Sequence, residues 1–114
     1  MDMDKIDEKA LKPVGFFREL PHGNKAGQSL AENVSDIPHE NEEAIINYLK
    51  RGAVLFASPG IMFDILDVEN ERIINDCNIY TDGVWMWCGD LSYYVSRYHV
   101  KLPEEFIENI KAFF

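Results

Sequence analysis

Asp82-Gly83 stands between two runs rich in β-branched and aromatic residues, Ile79-Tyr80-Thr81 and Val84-Trp85-Met86-Trp87. A tight two-residue hairpin needs positive φ at both central residues, which Asp tolerates and Gly adopts freely, so residues 77–88 are predicted to form a β-hairpin turning at this dipeptide. With Thr81 opposite Val84, Tyr80 faces Trp85, Ile79 faces Met86, Asn78 faces Trp87 and Cys77 faces Cys88. Alternation then sets Tyr80, Trp85 and Trp87 on one side, and Ile79, Thr81, Val84, Met86 and the cysteines on the other. Both sides are apolar. Either the sheet is covered on both faces, or one face presents aromatics to a partner.

Helix and strand signals flank this hairpin. From Glu40 to Arg51, the residues Ala44, Ile45, Tyr48 and Leu49 share one helical face, with Glu42 and Glu43 in the first turn and Lys50 and Arg51 in the last. Gly52 is the expected left-handed stop. Ala53 to Ala57 reads as a short buried strand closed by Ser58-Pro59-Gly60, and Ile61 to Leu66 as a second strand, its antiparallel neighbour. The acidic stretch Asp67 to Glu71 is the next loop, leading into Arg72-Ile73-Ile74. Asp90 is the expected N-cap of a short helix that buries Leu91, Tyr94, Val95 and Tyr98. Pro103 suits the first position of a last helix, Glu104 to Phe113, with Phe106, Ile107, Ile110 and Phe113 or Phe114 as its apolar face.

Upstream, Lys12 to Ile37 is broken by Pro13, Gly15, Pro21, Gly23 and Gly27, so regular structure is expected to be sparse there, with Phe16, Phe17 and Leu20 fastening it to the core. A chain of 114 residues with 46% hydrophobic composition supports one core. The expectation is therefore a single α+β domain. Residues 1–37 form a largely irregular N-terminal segment, and residues 38–114 a small antiparallel sheet of three or more strands, including the 77–88 hairpin, packed with about three helices. Met1 to Lys9 alternate charges without an apolar stretch, which predicts neither a secretory signal nor a membrane anchor. The default compartment is the cytoplasm, with Cys77 and Cys88 as free thiols lacking catalytic function.

The formal charge of -9 weighs against nucleic acid and membrane as ligands, because both are held chiefly by clustered Lys and Arg. Its placement is uneven. Residues 62–90 carry Asp64, Asp67, Glu69, Glu71, Asp76, Asp82 and Asp90 against Arg72 alone, so -6 of the -9 falls there. Such a cluster is either an ordinary solvated surface or a patch for a basic partner.

Motifs for chemistry are missing. His22, His39 and His99 are far apart, and none has a second His or Cys at a recognised metal spacing, so no metal or cofactor is predicted. Residues Asp64 to Glu71 lack the alternating oxygen ligands and central Gly of an EF-hand loop. Ser58-Pro59-Gly60 is not a nucleophile elbow, and no Gly-rich phosphate loop occurs.

The run Ile79 to Trp87, followed by Asp90-Leu91, Tyr93-Tyr94-Val95, Tyr98-His99-Val100 and Leu102-Pro103-Glu104-Glu105-Phe106-Ile107, resembles small bacterial proteins that include immunity proteins of contact-dependent and other polymorphic toxin systems. The likeness covers residues 62–114, with an echo in Phe16-Phe17-Arg18-Glu19-Leu20. It implies a cytoplasmic, non-enzymatic protein that binds and blocks one cognate toxin domain, and it carries no binding residue across. Nuclease toxins contact phosphate backbones and are basic near their active sites, so an acidic inhibitor suits them. The expected partner-binding set is Asp64, Asp67, Glu69, Glu71, Asp76, Asp82, Asp90, Trp85 and Trp87. The competing classes are an adaptor or regulatory module without a toxin, and a small enzyme with an acidic cleft.

Overall fold

The computed structural model describes residues 10–113. The readings made above on Met1 to Lys9 and on Phe114 lie outside the described residues. In chain order the elements are β1 (Lys12–Pro13), α1 (Glu42–Lys50), β2 (Ala53–Phe56), β3 (Met62–Phe63), β4 (Ile73–Ile74), β5 (Ile79–Thr81), β6 (Trp85–Cys88), α2 (Asp90–Tyr98) and α3 (Glu104–Lys111). One sheet runs β1-β6-β5-β2, and β3 pairs with β4 in a separate two-stranded ribbon. The fold is α+β, with three α-helices among the described residues.

The 77–88 hairpin forms, but its register differs from the predicted one. Thr81 opposes Met86, Tyr80 opposes Trp87 and Ile79 opposes Cys88. The reason lies in the Asp82 side chain, whose Oδ1 accepts the N–H groups of Val84 at 2.9 Å and Trp85 at 2.7 Å. These bonds move the turn one residue on, to Gly83-Val84, with Gly83 at φ 95°. A register change of two residues keeps every side chain on its face, so the face assignment survives while the pairs change. Cys77 and Cys88 no longer oppose each other, and both are free thiols. Burial pushes the thiol of Cys88 up to about 12, with the nearby Asp90 adding to it.

Other expectations need correction. The sheet is mixed, because β1 runs parallel to β6. Ala53 to Phe56 pairs with β5 rather than with the strand after it, and it is an edge strand whose Val54 and Phe56 are about half exposed. An apolar run alone does not distinguish an edge strand from a central one. Beyond Phe63 the predicted second strand turns away, and Asp64 to Leu66 belong to the loop. Gly52 lacks positive φ, since α1 ends on Arg51. Its glycine is required by a close approach: a Cβ there would stand 2.7 Å from Cζ2 of Trp87. Asp90 is the first helical residue of α2, with Gly89 at the cap, and Pro103 caps α3 from just outside it. Of the two alternatives for the end of the α3 apolar face, Phe113 is 70% exposed, and Phe114 lies outside the described residues.

The core gathers Trp87, Tyr94, Phe106, Ile45, Leu49, Leu91, Val95 and Ile110 from β6 and all three helices, with Val100 from the link between α2 and α3. The N-terminal segment contributes Val14, Phe17, Leu20 and Leu30, all buried, so this irregular stretch is fastened as predicted. Phe16 is half-buried against the edge of His22. Glu19 organises the segment. Its carboxylate accepts Ser29 Oγ at 2.8 Å and the N–H groups of Leu30 at 2.8 Å and Ala31 at 3.0 Å, satisfying the start of a 3₁₀ turn at Ala31–Asn33. Partial desolvation raises the pKa of this carboxyl, but the three donors outweigh it and hold the group at about 2.

The folded pKa of Glu19 lies below the ordinary value of 4.5, so its stabilising contribution is complete above that pH and fades as the pH falls toward 2. Because the side chain is largely solvated, screening keeps the effect to about 1 kcal/mol. Glu19→Gln should therefore lower the melting temperature at neutral pH, and the gap from wild type should close between pH 4.5 and 2. Calorimetry across that range checks it; a constant gap would assign the loss to packing instead.

Candidate protein-binding surface

Every sequence-predicted partner-binding residue has a defined place, and few of them are free. Asp64 is 1% exposed and ties the β3–β4 ribbon to α2. Its Oδ2 accepts the hydroxyls of Tyr98 at 2.6 Å and Tyr93 at 2.8 Å, and its Oδ1 accepts the Leu66 N–H at 2.8 Å. Arg97 Nε lies 3.7 Å away and balances the charge. Burial and the Asp64 carboxylate push the Tyr93 hydroxyl up to about 12 and raise Tyr98 as well. The neighbouring Tyr94 hydroxyl accepts the N–H of Ile65 at 3.2 Å. Three tyrosines of one helix thus grip one loop, a role for the Tyr93-Tyr94 and Tyr98 pattern that the sequence reading did not assign.

Asp67 is bound within its own loop, to Arg72 Nε at 2.9 Å and Asn70 Nδ2 at 2.7 Å, and Arg72 holds its carboxyl below the usual range. Asp76 accepts the Tyr80 hydroxyl at 2.6 Å and the Asn78 N–H at 3.1 Å. Asp82 caps the hairpin turn with one oxygen, while the other accepts Tyr48 Oη at 2.6 Å and Asn109 Nδ2 at 3.0 Å. Burial first, and then this carboxylate, raise the pKa of Tyr48. These three acids are partly exposed, but their oxygens are engaged.

Asp64, Trp85, Trp87 and Asp90 correct the predicted set. All four are buried, so none can meet a partner while the protein is folded. Large aromatics on a two-faced hairpin fill the core here because α1 and α3 cover that face. Asp90 faces inward toward His22, with Nε2 to Oδ2 at 3.2 Å, and Cys88 offers its sulfur to the same cluster. His39 and His99 are structural contacts: His39 Nε2 lies 2.7 Å from the Val100 carbonyl, and His99 Nδ1 lies 2.9 Å from Glu42.

Glu69 and Glu71 remain. Both are exposed, and neither makes a side-chain hydrogen bond or ion pair among the described residues. They sit in the loop that closes the ribbon, around the 3₁₀ turn Val68–Asn70. The ribbon's outward face pairs Phe63 with Ile73, each 51% exposed, while Met62 and Ile74 point inward. Val68 is 70% exposed at the loop, and Ile61 continues the apolar surface toward Phe56 across a cleft of about 560 Å³. Phe56, Ile61, Phe63, Val68 and Ile73 were missed as contact residues by the sequence reading, which set Phe56 in a buried strand, Ile61 and Phe63 in the next strand, and Val68 in the acidic loop before Ile73. The outward Phe63–Ile73 pair is visible only once β3 and β4 are known to partner each other. Large apolar side chains at this exposure beside two exposed acids make the ribbon the candidate contact surface.

Comparisons of the chain with family models, curated proteins and solved structures find no match. No helix among the described residues is long and apolar enough to cross a membrane.

Asp64→Asn removes a charge-assisted anchor while keeping the shape, at a cost of about 2 kcal/mol. Amide exchange should accelerate over residues 62–74 more than in β5 and β6. Uniform acceleration would mean that the ribbon has no separate anchor.

Proposed function

We propose that this protein is an immunity-type binder that neutralises a cognate, basic, nuclease-like toxin domain through the β3–β4 ribbon and its acidic loop. The observation that carries the reading is the half-exposed Phe63–Ile73 pair beside the exposed Glu69 and Glu71, on a ribbon anchored from behind by Asp64. Anchoring matters because an ordered ribbon loses little conformational freedom on binding. The negative charge speeds encounter with a basic surface, and the apolar pair, once desolvated, prolongs the complex. The resemblance of residues 62–114 to immunity proteins supplies the biological class.

Charge and apolar contact affect different rate constants, which makes the reading testable. Glu69→Lys with Glu71→Lys should slow association about tenfold at low salt, with the difference shrinking as ionic strength rises. Phe63→Ser with Ile73→Ser should mainly accelerate dissociation, by about tenfold or more. Glu104→Lys with Glu108→Lys on α3 is the control and should change little. The measurement is binding kinetics against the product of the neighbouring toxin gene, paired with survival of cells that express it. A larger effect from the α3 pair would place the surface elsewhere, and failure of any neighbouring product to bind would sink the immunity reading.

A further inference from the structure

His22, Cys88 and Asp90 come together at the start of α2. Cys88 ends β6, Asp90 opens the helix, and His22 reaches them from the turn after Leu20. One ring nitrogen, one sulfur and one carboxylate oxygen all lie within 4.8 Å of one another. Asp90 is 1% exposed, yet neither of its oxygens accepts a well-formed hydrogen bond among the described residues. Both ring nitrogens of His22 are likewise buried and make no well-formed hydrogen bond among the described residues, although Nε2 stands 3.2 Å from Asp90 Oδ2. A carboxylate removed from water without hydrogen bonds is strongly disfavoured, and the Cys88 thiol beside it is only a weak donor. The single close approach of His22 Nε2 to Asp90 Oδ2 leaves the second carboxylate oxygen and His22 Nδ1 without a partner among the described residues.

We propose that His22, Cys88 and Asp90 bind one divalent transition-metal ion of zinc's class, with a fourth coordination position open to the adjoining cleft. An imidazole nitrogen, a thiolate and a carboxylate are the donors such ions prefer, whereas calcium and magnesium take oxygen sets. Tetrahedral zinc, with bonds of about 2.0–2.3 Å, sets its donors roughly 3.3–3.6 Å apart. His22 and Asp90 already stand near that spacing at 3.2 Å, and the widest separation has only about 1 Å to close. A thiolate and a carboxylate also neutralise a divalent ion, so the buried site carries no net charge. The thiol proton leaves on binding.

Two further features hold the donors in place. Gly89, between Cys88 and Asp90, packs against the Asp76 carboxylate so closely that a Cβ there would lie 2.2 Å from its Cγ, which fixes the backbone joining two ligands. The Phe16 ring meets His22 edge-on at 5.9 Å between centroids and sets the imidazole plane. Phe56, Ile61 and Cys77 line the cleft together with His22 and Cys88, so a ligand entering it reaches the open position beside apolar walls.

The test uses the full chain stripped with a chelator and titrated with zinc chloride against a chromophoric competitor. One equivalent should bind at micromolar affinity or tighter, and cobalt(II) should give a thiolate-to-metal charge-transfer band in the near ultraviolet. Cys88→Ser should abolish that band, and Cys88→Ser, His22→Gln and Asp90→Asn should each weaken zinc binding by about a hundredfold or more, exceeding typical outer-shell losses. Cys77→Ser, and Glu69→Lys with Glu71→Lys, should leave it within about threefold. Metal-free melting curves identify any variant that no longer folds, and the wild-type cobalt spectrum decides the question without variants. Absence of the band, affinity no tighter than millimolar, or binding that survives Cys88→Ser would overturn the proposal.

Discussion

Trp87 is the residue on which the two halves of this fold depend. Fully buried in the central strand β6, it donates its indole N–H to the Leu49 carbonyl at 2.9 Å, satisfying an acceptor in the last turn of α1. Its ring packs against Phe106 of α3 and Tyr48 of α1, so one side chain joins the sheet to two helices. The chain leaving α1 must then pass so close to the indole that only glycine fits at position 52. Asp82 repeats the junction at the hairpin turn, where one carboxylate holds the turn's backbone and the side chains of Tyr48 and Asn109. This half of the molecule is closed on itself. Its buried aromatics and Asp82 are structural, whereas the β3–β4 ribbon keeps Phe63 and Ile73 half exposed.

How far the sequence reveals this depends on the range of the interaction. Helices were legible from apolar spacing, and the hairpin from Asp82-Gly83, because those signals are local. The hairpin register was not, since the general preference for Asp-Gly at the turn centre yields here to the Asp82 side chain, which holds the backbone of the two residues beyond Gly83. The faces of Trp85 and Trp87 survived that error because the shift was even. Ala53 to Phe56 was misread for a different reason: composition records that a strand is apolar but not whether anything lies on its far edge. The His22, Cys88 and Asp90 cluster had no local signal at all, because the N-terminal segment must fold onto the start of α2 before those donors share a space.

The acidic cluster shows the same limit from the functional side. Counting charge along residues 62–90 finds the excess correctly, but it does not show which carboxylates have partners. Asp64 and Asp67 are matched by Arg97 and Arg72, so much of their field cancels locally. Asp76 and Asp82 are held instead by tyrosine hydroxyls, amides and backbone N–H groups, all neutral. Those two have no cationic partner among the described residues, although their oxygens are occupied.

That distinction separates attraction from contact. A charge need not touch a partner to draw it in, since its field extends over roughly 10 Å at moderate ionic strength, while a residue that anchors a complex must be exposed. Asp76 and Asp82 can therefore contribute to steering from positions where they cannot form new hydrogen bonds, and Glu69 and Glu71 can do both. In the proposed complex, contact falls to the apolar face beside those glutamates, where Phe63 and Ile73 still have surface to bury. Mutating the structural acids would confound the two effects, because removing Asp64 or Asp82 dismantles the scaffold along with the charge. In this fold the acids that most define the charge pattern are poor probes of binding, and the apolar residues that the charge count passes over are the informative ones.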